Sequence, residues 1–166
     1  MRSDADKDRH FMALALAQAE RAARKGEVPV GAVIIENGEV LSRGHNATIA
    51  ACDPTAHAEV VALRKACRKR GNHRLPDCEL YTTLEPCALC LGAIVQARVK
   101  RLVYGARDPK AGAVISVMRF PFRKLNHRPE VRSGVLAEEC GALLKDFFKA
   151  RRKHHSSFNT ERWPSG

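Results

Sequence analysis

The sequence predicts an α/β fold in which a mixed sheet is layered with helices, and three patterns carry that prediction. An amphipathic helical stretch is followed by two strand-like runs joined by a hairpin signal. A strand, a helix and a strand then follow at the spacing of a parallel crossover, and a second long amphipathic stretch closes the chain. One antiparallel hairpin and one parallel crossover in the same sheet make it mixed.

Taken in order, Phe11, Leu14, Ala15, Gln18, Ala19, Ala22 and Ala23 fall mostly at helical spacing, and Gly26 stands where that helix would stop. Val30–Ile35 and Val40–Arg43 read as strands joined through Glu36-Asn37-Gly38-Glu39, and Asn-Gly is a strong hairpin signal. Asp53 and Pro54 read as an N-cap and first helical residue, so the next helix is expected from Pro54 to Arg70, ending at Gly71. Glu79–Thr83 is a buried strand, Pro86 opens a helix to Ala97, and Arg101–Tyr104 is a further strand. Residues 106–129, rich in Gly, Pro and basic side chains, read as a long loop with one helical turn, a kind of segment that often carries function. Leu136–Arg152 is the closing helix, apolar at Leu136, Cys140, Leu143, Leu144 and Phe147.

At 166 residues the chain suits one domain, assigned to 1–153, with a basic and disordered tail over 154–166. That length buries enough surface to fold without a metal staple. The N-terminus carries both signs of charge and no apolar run long enough for a signal peptide or a membrane span, which points to the cytoplasm and away from membranes. The chain holds 29 Lys and Arg against 18 Asp and Glu, a net charge of +11, with a pI near 9.8. Such a field attracts phosphate-bearing partners, nucleic acid first among them, although a basic soluble protein without such a partner has the same composition. Of six cysteines, Cys52, Cys67, Cys78 and Cys140 are scattered singly and read as buried or free thiols.

Chemistry concentrates in His57-Ala58-Glu59 and Pro86-Cys87-Ala88-Leu89-Cys90. One imidazole and two thiolates make three zinc ligands, and a tetrahedral zinc with three protein ligands keeps a position open for water, whose pKa falls from 15.7 to about 7 on the metal. Cys87 and Cys90 share a helical face. His57 and Glu59 are two apart, so they serve one site only at the N-terminal end of a helix. Two helix N-termini would meet at one Zn2+, one ion per subunit, with Glu59 free to act as general base and then general acid. The reaction this implies is hydrolytic deamination. A closed structural zinc clip, with another Cys or His as fourth ligand, is the competing interpretation of the Cys-x-x-Cys pair.

The chain resembles the bacterial tRNA adenosine deaminases, of the cytidine and deoxycytidylate deaminase superfamily, over about residues 8–153. The resemblance rests on Glu27-Val28-Pro29-Val30-Gly31-Ala32-Val33, Asp53-Pro54-Thr55-Ala56-His57-Ala58-Glu59, Thr83-Leu84-Glu85-Pro86-Cys87-Ala88-Leu89-Cys90, Tyr104-Gly105-Ala106-Arg107-Asp108-Pro109-Lys110, Leu125-Asn126-His127-Arg128 and Gly134-Val135-Leu136-Ala137-Glu138-Glu139-Cys140. It implies a cytidine-deaminase-like three-layer α/β/α arrangement with a mixed five-stranded sheet, and a homodimer. It also implies zinc-dependent conversion of adenosine to inosine at the wobble position, 34, of a tRNA anticodon, that of an arginine tRNA, with the base splayed out of its loop. Carried over with it are His57, Cys87 and Cys90 as zinc ligands, Glu59 as proton shuttle and Asn46 as a contact to the target nucleoside. Arg107, Asp108 and Lys110 would lie beside the anticodon loop, and Phe147, Phe148, Arg151 and Arg152 would help hold the RNA. The chain departs from the commoner pattern at Ala113-Val114-Ile115-Ser116 and in the basic, aromatic run Arg119–Lys124.

Two other functions fit parts of this pattern. A deaminase of free cytosine, guanine or their nucleosides shares the zinc signature, but its activity would be nearly indifferent to salt. A zinc-stabilised RNA-binding module would need no unligated carboxylate beside the metal, so Glu59→Ala separates it from either enzyme.

Overall fold

Helix α1 (Asp4–Arg24) starts ahead of the periodic apolar positions because Ser3 caps it. The Ser3 hydroxyl accepts from the Asp6 N–H at 3.2 Å, and Asp4 and Asp6 occupy the first turn, where carboxylates suit the helix dipole. Strands β1 (Gly31–Glu36) and β2 (Glu39–His45) form the expected hairpin. Asn37 and Gly38 take positive φ, 50° and 77°, as a tight primed turn requires. This computed structural model describes residues 3–157.

Helix α2 (Ala58–Arg70) corrects the expected start at Pro54. Asp53 does not cap it: Oδ1 of Asp53 accepts from the Thr55 N–H at 2.8 Å and the Thr55 hydroxyl at 2.7 Å, and the Ala56 and His57 N–H groups close short turns onto Asp53 and Thr55. The Asp-Pro-Thr segment is therefore a self-contained turn, and His57 is the N-cap residue, still extended. Gly71, left-handed, ends the helix as expected.

Strand β3 (Cys78–Leu84), helix α3 (Ala88–Gln96) and strand β4 (Arg101–Ala106) make the parallel crossover. The loop after β4 contains the single helical turn expected of it, a 3₁₀ turn at Phe122–Lys124. Strand β5 (Glu130–Arg132), which completes the five strands implied by the resemblance, follows the 106–129 loop where the pattern itself places no strand, since three residues with two exposed leave no alternation to read. Helix α4 (Ala137–Ser157) runs past the expected end at Arg152, so 154–157 are helical and not a frayed tail. The remainder of the tail assigned to 154–166 lies outside the described residues.

The sheet order is β2-β1-β3-β4-β5, antiparallel from β2 to β3 and parallel from β3 to β5. Its strands alternate between two buried faces. Ala32, Ile34, Leu80 and Leu102 pack with α2 and α3, and Val33, Ile35, Tyr81 and Val103 pack with Phe11, Met12 and Cys140 of α1 and α4. The result is the three-layer α/β/α arrangement. A buried charge cluster ties α1 to the sheet: Asp8 accepts from Arg101 at 2.7 and 2.9 Å, from Arg132 and from the Tyr81 hydroxyl at 2.6 Å. Among the described residues no helix is long and apolar enough to cross a membrane, and all six cysteines are free.

Candidate active site

The N-termini of α2 and α3 meet. His57 and Cys87 are the N-cap residues of the two helices, and Cys90 lies in the first turn of α3. Cys87 Sγ and Cys90 Sγ are 3.7 Å apart, and His57 Nδ1 is 3.5 Å from the first and 3.4 Å from the second. A disulfide needs sulfurs about 2.05 Å apart. Zinc bonds of about 2.3 Å to sulfur and about 2.05 Å to nitrogen, at tetrahedral angles, put two sulfurs about 3.75 Å apart and sulfur about 3.55 Å from nitrogen. The triad therefore has the dimensions of three corners of a zinc tetrahedron. The three residues form a cluster able to hold a metal ion. A hydrogen bond from the Cys90 thiol, with help from His57, lowers the Cys87 thiol to about 4. Cys90, as donor and deeply buried, is pushed up. The bond to Cys87 raises the His57 imidazole above its ordinary value.

Glu59, in the first turn of α2, is 4 % exposed. Burial raises its carboxyl pKa, against a hydrogen bond from Cys90. Among the described residues two buried side-chain oxygens lack a hydrogen-bond partner, Glu59 Oε1 and Asn46 Oδ1. Both belong to residues lining one pocket of about 300 Å³, with His57, Cys87, Asp108 and Thr48. The Asn46 amide nitrogen donates to the Val28 carbonyl at 3.4 Å, which leaves the side-chain oxygen free to accept. A buried polar atom without a partner is costly, and two of them in one pocket beside three atoms able to hold a metal make this pocket the candidate substrate site.

A second cavity of about 670 Å³ adjoins the first, sharing Val28, Leu84 and Asp108. It gathers Arg107, Lys110, Phe148, Arg151 and Arg152. Lys110 Nζ sits 5.6 Å from the Phe148 ring centre. Phe147 does not line this cavity: half-buried, it carries the Arg151 guanidinium at 5.0 Å, and Arg151 also donates to the Gly26 carbonyl at 3.2 Å. The structure thus brings together the sequence-derived ligand, proton-shuttle and substrate residues, with Phe147 one layer behind. The pattern missed Glu85, which lines the pocket. Its only signal is an acidic residue between an apolar strand and Pro86, and that does not distinguish a buried carboxylate from a solvated one.

The MafB19-like deaminase family profile matches residues 5–152. A tRNA-specific adenosine deaminase of Agrobacterium fabrum is 47 % identical over 144 residues, 86 % of this chain and 95 % of that protein. A structure from work on A-to-I editing by tRNA:A34 deaminases at the wobble position of transfer RNA superposes with a TM-score of 0.78 at 47 % identity, covering 81 % of this chain and 99 % of the other. A guanine deaminase from Nitrosomonas europaea is more distant, with a TM-score of 0.67 at 28 % identity, over 89 % of this chain and 85 % of its own. A His-Cys-Cys cluster able to hold a metal beside an unpartnered carboxylate, and a likeness that spans nearly the whole fold, place this hydrolytic deaminase in the MafB19-like deaminase family, where it belongs to the tRNA-specific adenosine deaminases.

Proposed function

We propose that this chain converts adenosine to inosine at position 34 of a tRNA anticodon, that of an arginine tRNA, in a zinc-dependent reaction. The observation that carries this reading is the pairing of two unpartnered buried oxygens, on Glu59 and Asn46, with a basic, aromatic cavity next door. The pocket of about 300 Å³ is sized for one base. The adjoining cavity offers Arg107, Lys110, Arg151 and Arg152 to phosphates and Phe148 to a neighbouring base, features a free purine does not need.

His57, Cys87 and Cys90 would hold zinc, which when bound supplies an activated water at neutral pH. Glu59 Oε1 would take one proton from the attacking water and pass it to a ring nitrogen of the purine, then take the water's second proton and deliver it to the departing amine, which leaves as ammonia. Asn46 Oδ1 accepts a hydrogen bond from the bound nucleoside and so fixes its orientation. The helix N-termini behind Cys87 and His57 favour negative charge at their ligands. A homodimer is part of this reading, supported by the exposed apolar side chains Ile115, Val117, Met118 and Leu125 on one segment.

The test is nucleoside mass spectrometry of an anticodon stem-loop with A at position 34, incubated with the protein or its Glu59→Ala variant. Inosine from the parent alone supports the reading. A zinc-loaded parent that leaves the stem-loop unchanged while deaminating free guanine or cytosine overturns it.

A further inference from the structure

Glu85 occupies the single position between strand β3, which ends at Leu84, and the Pro86-Cys87 turn that leads into α3. It is 2 % exposed, and its carboxylate takes five donors from one loop. Oε1 accepts from the Asp108 N–H at 3.2 Å and from the Ser116 hydroxyl. Oε2 accepts from the N–H groups of Val114, Ile115 and Ser116 at 3.0, 2.9 and 3.1 Å. Three successive amides converging on one oxygen form an anion-binding nest, and the anion they bind is the chain's own side chain. The main chain closes the same contact, with the Ala113 N–H on the Pro86 carbonyl at 2.9 Å and the Glu85 N–H on the Ala106 carbonyl at 2.8 Å. The loop lies so near that a Cβ on Gly112 would sit 2.5 Å from the Glu85 carboxyl carbon and 2.6 Å from the Asp108 carbonyl oxygen.

Only an acceptor-only group satisfies five donors at once, and a carboxylate is the one side chain of this size that qualifies. The loop it gathers presents Asp108 to the pocket and Lys110 to the adjoining cavity. The residue it belongs to is two positions from Cys87. We propose that Glu85 is a positioning residue for substrate. Its carboxylate locks residues 108–116 against the turn bearing Cys87, and so holds Arg107, Asp108 and Lys110 where an RNA strand must pass to deliver a base to the pocket. The proposal rests on the RNA reading above. It makes the interface with RNA a property of one buried acid, and not of the exposed basic residues alone.

The test pairs kinetics with hydrogen exchange in the zinc-loaded protein. Glu85→Gln turns an amide NH2 toward amide donors, so the 108–116 amides should exchange faster while those of 47–53 do not change. The stem-loop KM should rise by about tenfold or more with kcat within about threefold, as expected when positioning is lost and chemistry is kept. The dependence of log KM on log salt should flatten, because Arg107 and Lys110 no longer meet phosphates in fixed places. Gly112→Ala presses on the same contact from the loop side and should give the same three changes, which carries the test if Glu85→Gln does not fold. An unchanged KM and salt slope in a variant whose 108–116 amides have lost protection overturns the proposal, as does a fall in kcat with zinc loss at constant KM. A parent that leaves the stem-loop unconverted overturns the RNA reading instead, and the exchange data still report whether Glu85 holds the loop.

Discussion

Glu59 and Glu85 line the same pocket and are about equally buried, at 4 % and 2 % exposed, yet the fold treats them in opposite ways. Glu85 receives five donors, and although burial alone would raise its pKa, hydrogen bonds from Ser116, Ile115 and Asp108 bring it below the ordinary glutamate value. Glu59 has an oxygen with no partner, and burial leaves its pKa raised. Burying a carboxylate is unfavourable unless donors replace the lost water. Where the fold supplies them, the acid becomes part of the scaffold. Where it withholds them, bonding capacity stays unmet, and it is this capacity that the proposed mechanism turns on the substrate at the expense of stability.

The largest effect should come from exchanging each acid for its amide. Glu59→Gln should lower turnover of the stem-loop by about 10²- to 10⁴-fold, the usual span for a positioned proton-transfer group. Its melting temperature should hold or rise, since a neutral amide suits an unpartnered buried site better than a carboxylate. Glu85→Gln should melt lower. Single-turnover kinetics beside differential scanning calorimetry checks both, and a Glu59→Gln protein that melts lower while keeping its turnover would break the contrast between the two acids.

Removing zinc with a chelator, or by His57→Ala, should abolish turnover and lower the melting temperature, with metal content followed by atomic absorption. Two helix N-termini that converge on His57, Cys87 and Cys90 would lose a common partner when an ion held there leaves. Asn46→Ala sharpens the comparison at smaller scale, because Asn46 Oδ1 is the other unpartnered buried oxygen. It should cost about 10- to 100-fold in kcat/KM, the size of one lost buried hydrogen bond to substrate, with only a small fall in melting temperature from losing the long bond to the Val28 carbonyl.

How far the sequence speaks follows the same division. The His57, Cys87 and Cys90 cluster was legible because metal chemistry restricts residue type and spacing together, and strands β1 to β4 because apolar runs and an Asn-Gly turn leave a local record. The start of α2 was misread because Asp-Pro satisfies the rules for a helix cap and for a closed turn equally, and tertiary placement of His57 decides between them. The resemblance implied a fifth strand, but the pattern could not place β5, because three residues at a sheet edge are held by pairing with β4, a long-range contact, and not by their own periodicity. Glu85 was invisible for a related reason: its five donors come from residues 23 to 31 positions away along the chain.

A third buried acid, Asp8, completes the comparison away from the pocket. It is 1 % exposed, and its partners are guanidinium groups of Arg101 and Arg132 with the Tyr81 hydroxyl. Burial alone would raise its pKa, but hydrogen bonds from Arg101 and Tyr81 and the two positive charges lower it to about 2 from the ordinary 3.8. Asp8→Asn leaves two cations facing a neutral group and should cost about 2–3 kcal/mol of stability, trimmed from the fully buried case because Arg132 is partly solvated. Turnover of the stem-loop should not change. The pH dependence has a definite sign. A carboxyl whose pKa is depressed by folding contributes stability in full above its unfolded value near 4 and loses it as pH falls toward 2. Melting temperatures of parent and Asp8→Asn should therefore differ most above pH 5 and draw together on acidification. A gap that stays constant from pH 6 to pH 3 would show that Asp8 holds α1 to the sheet by packing and not by charge.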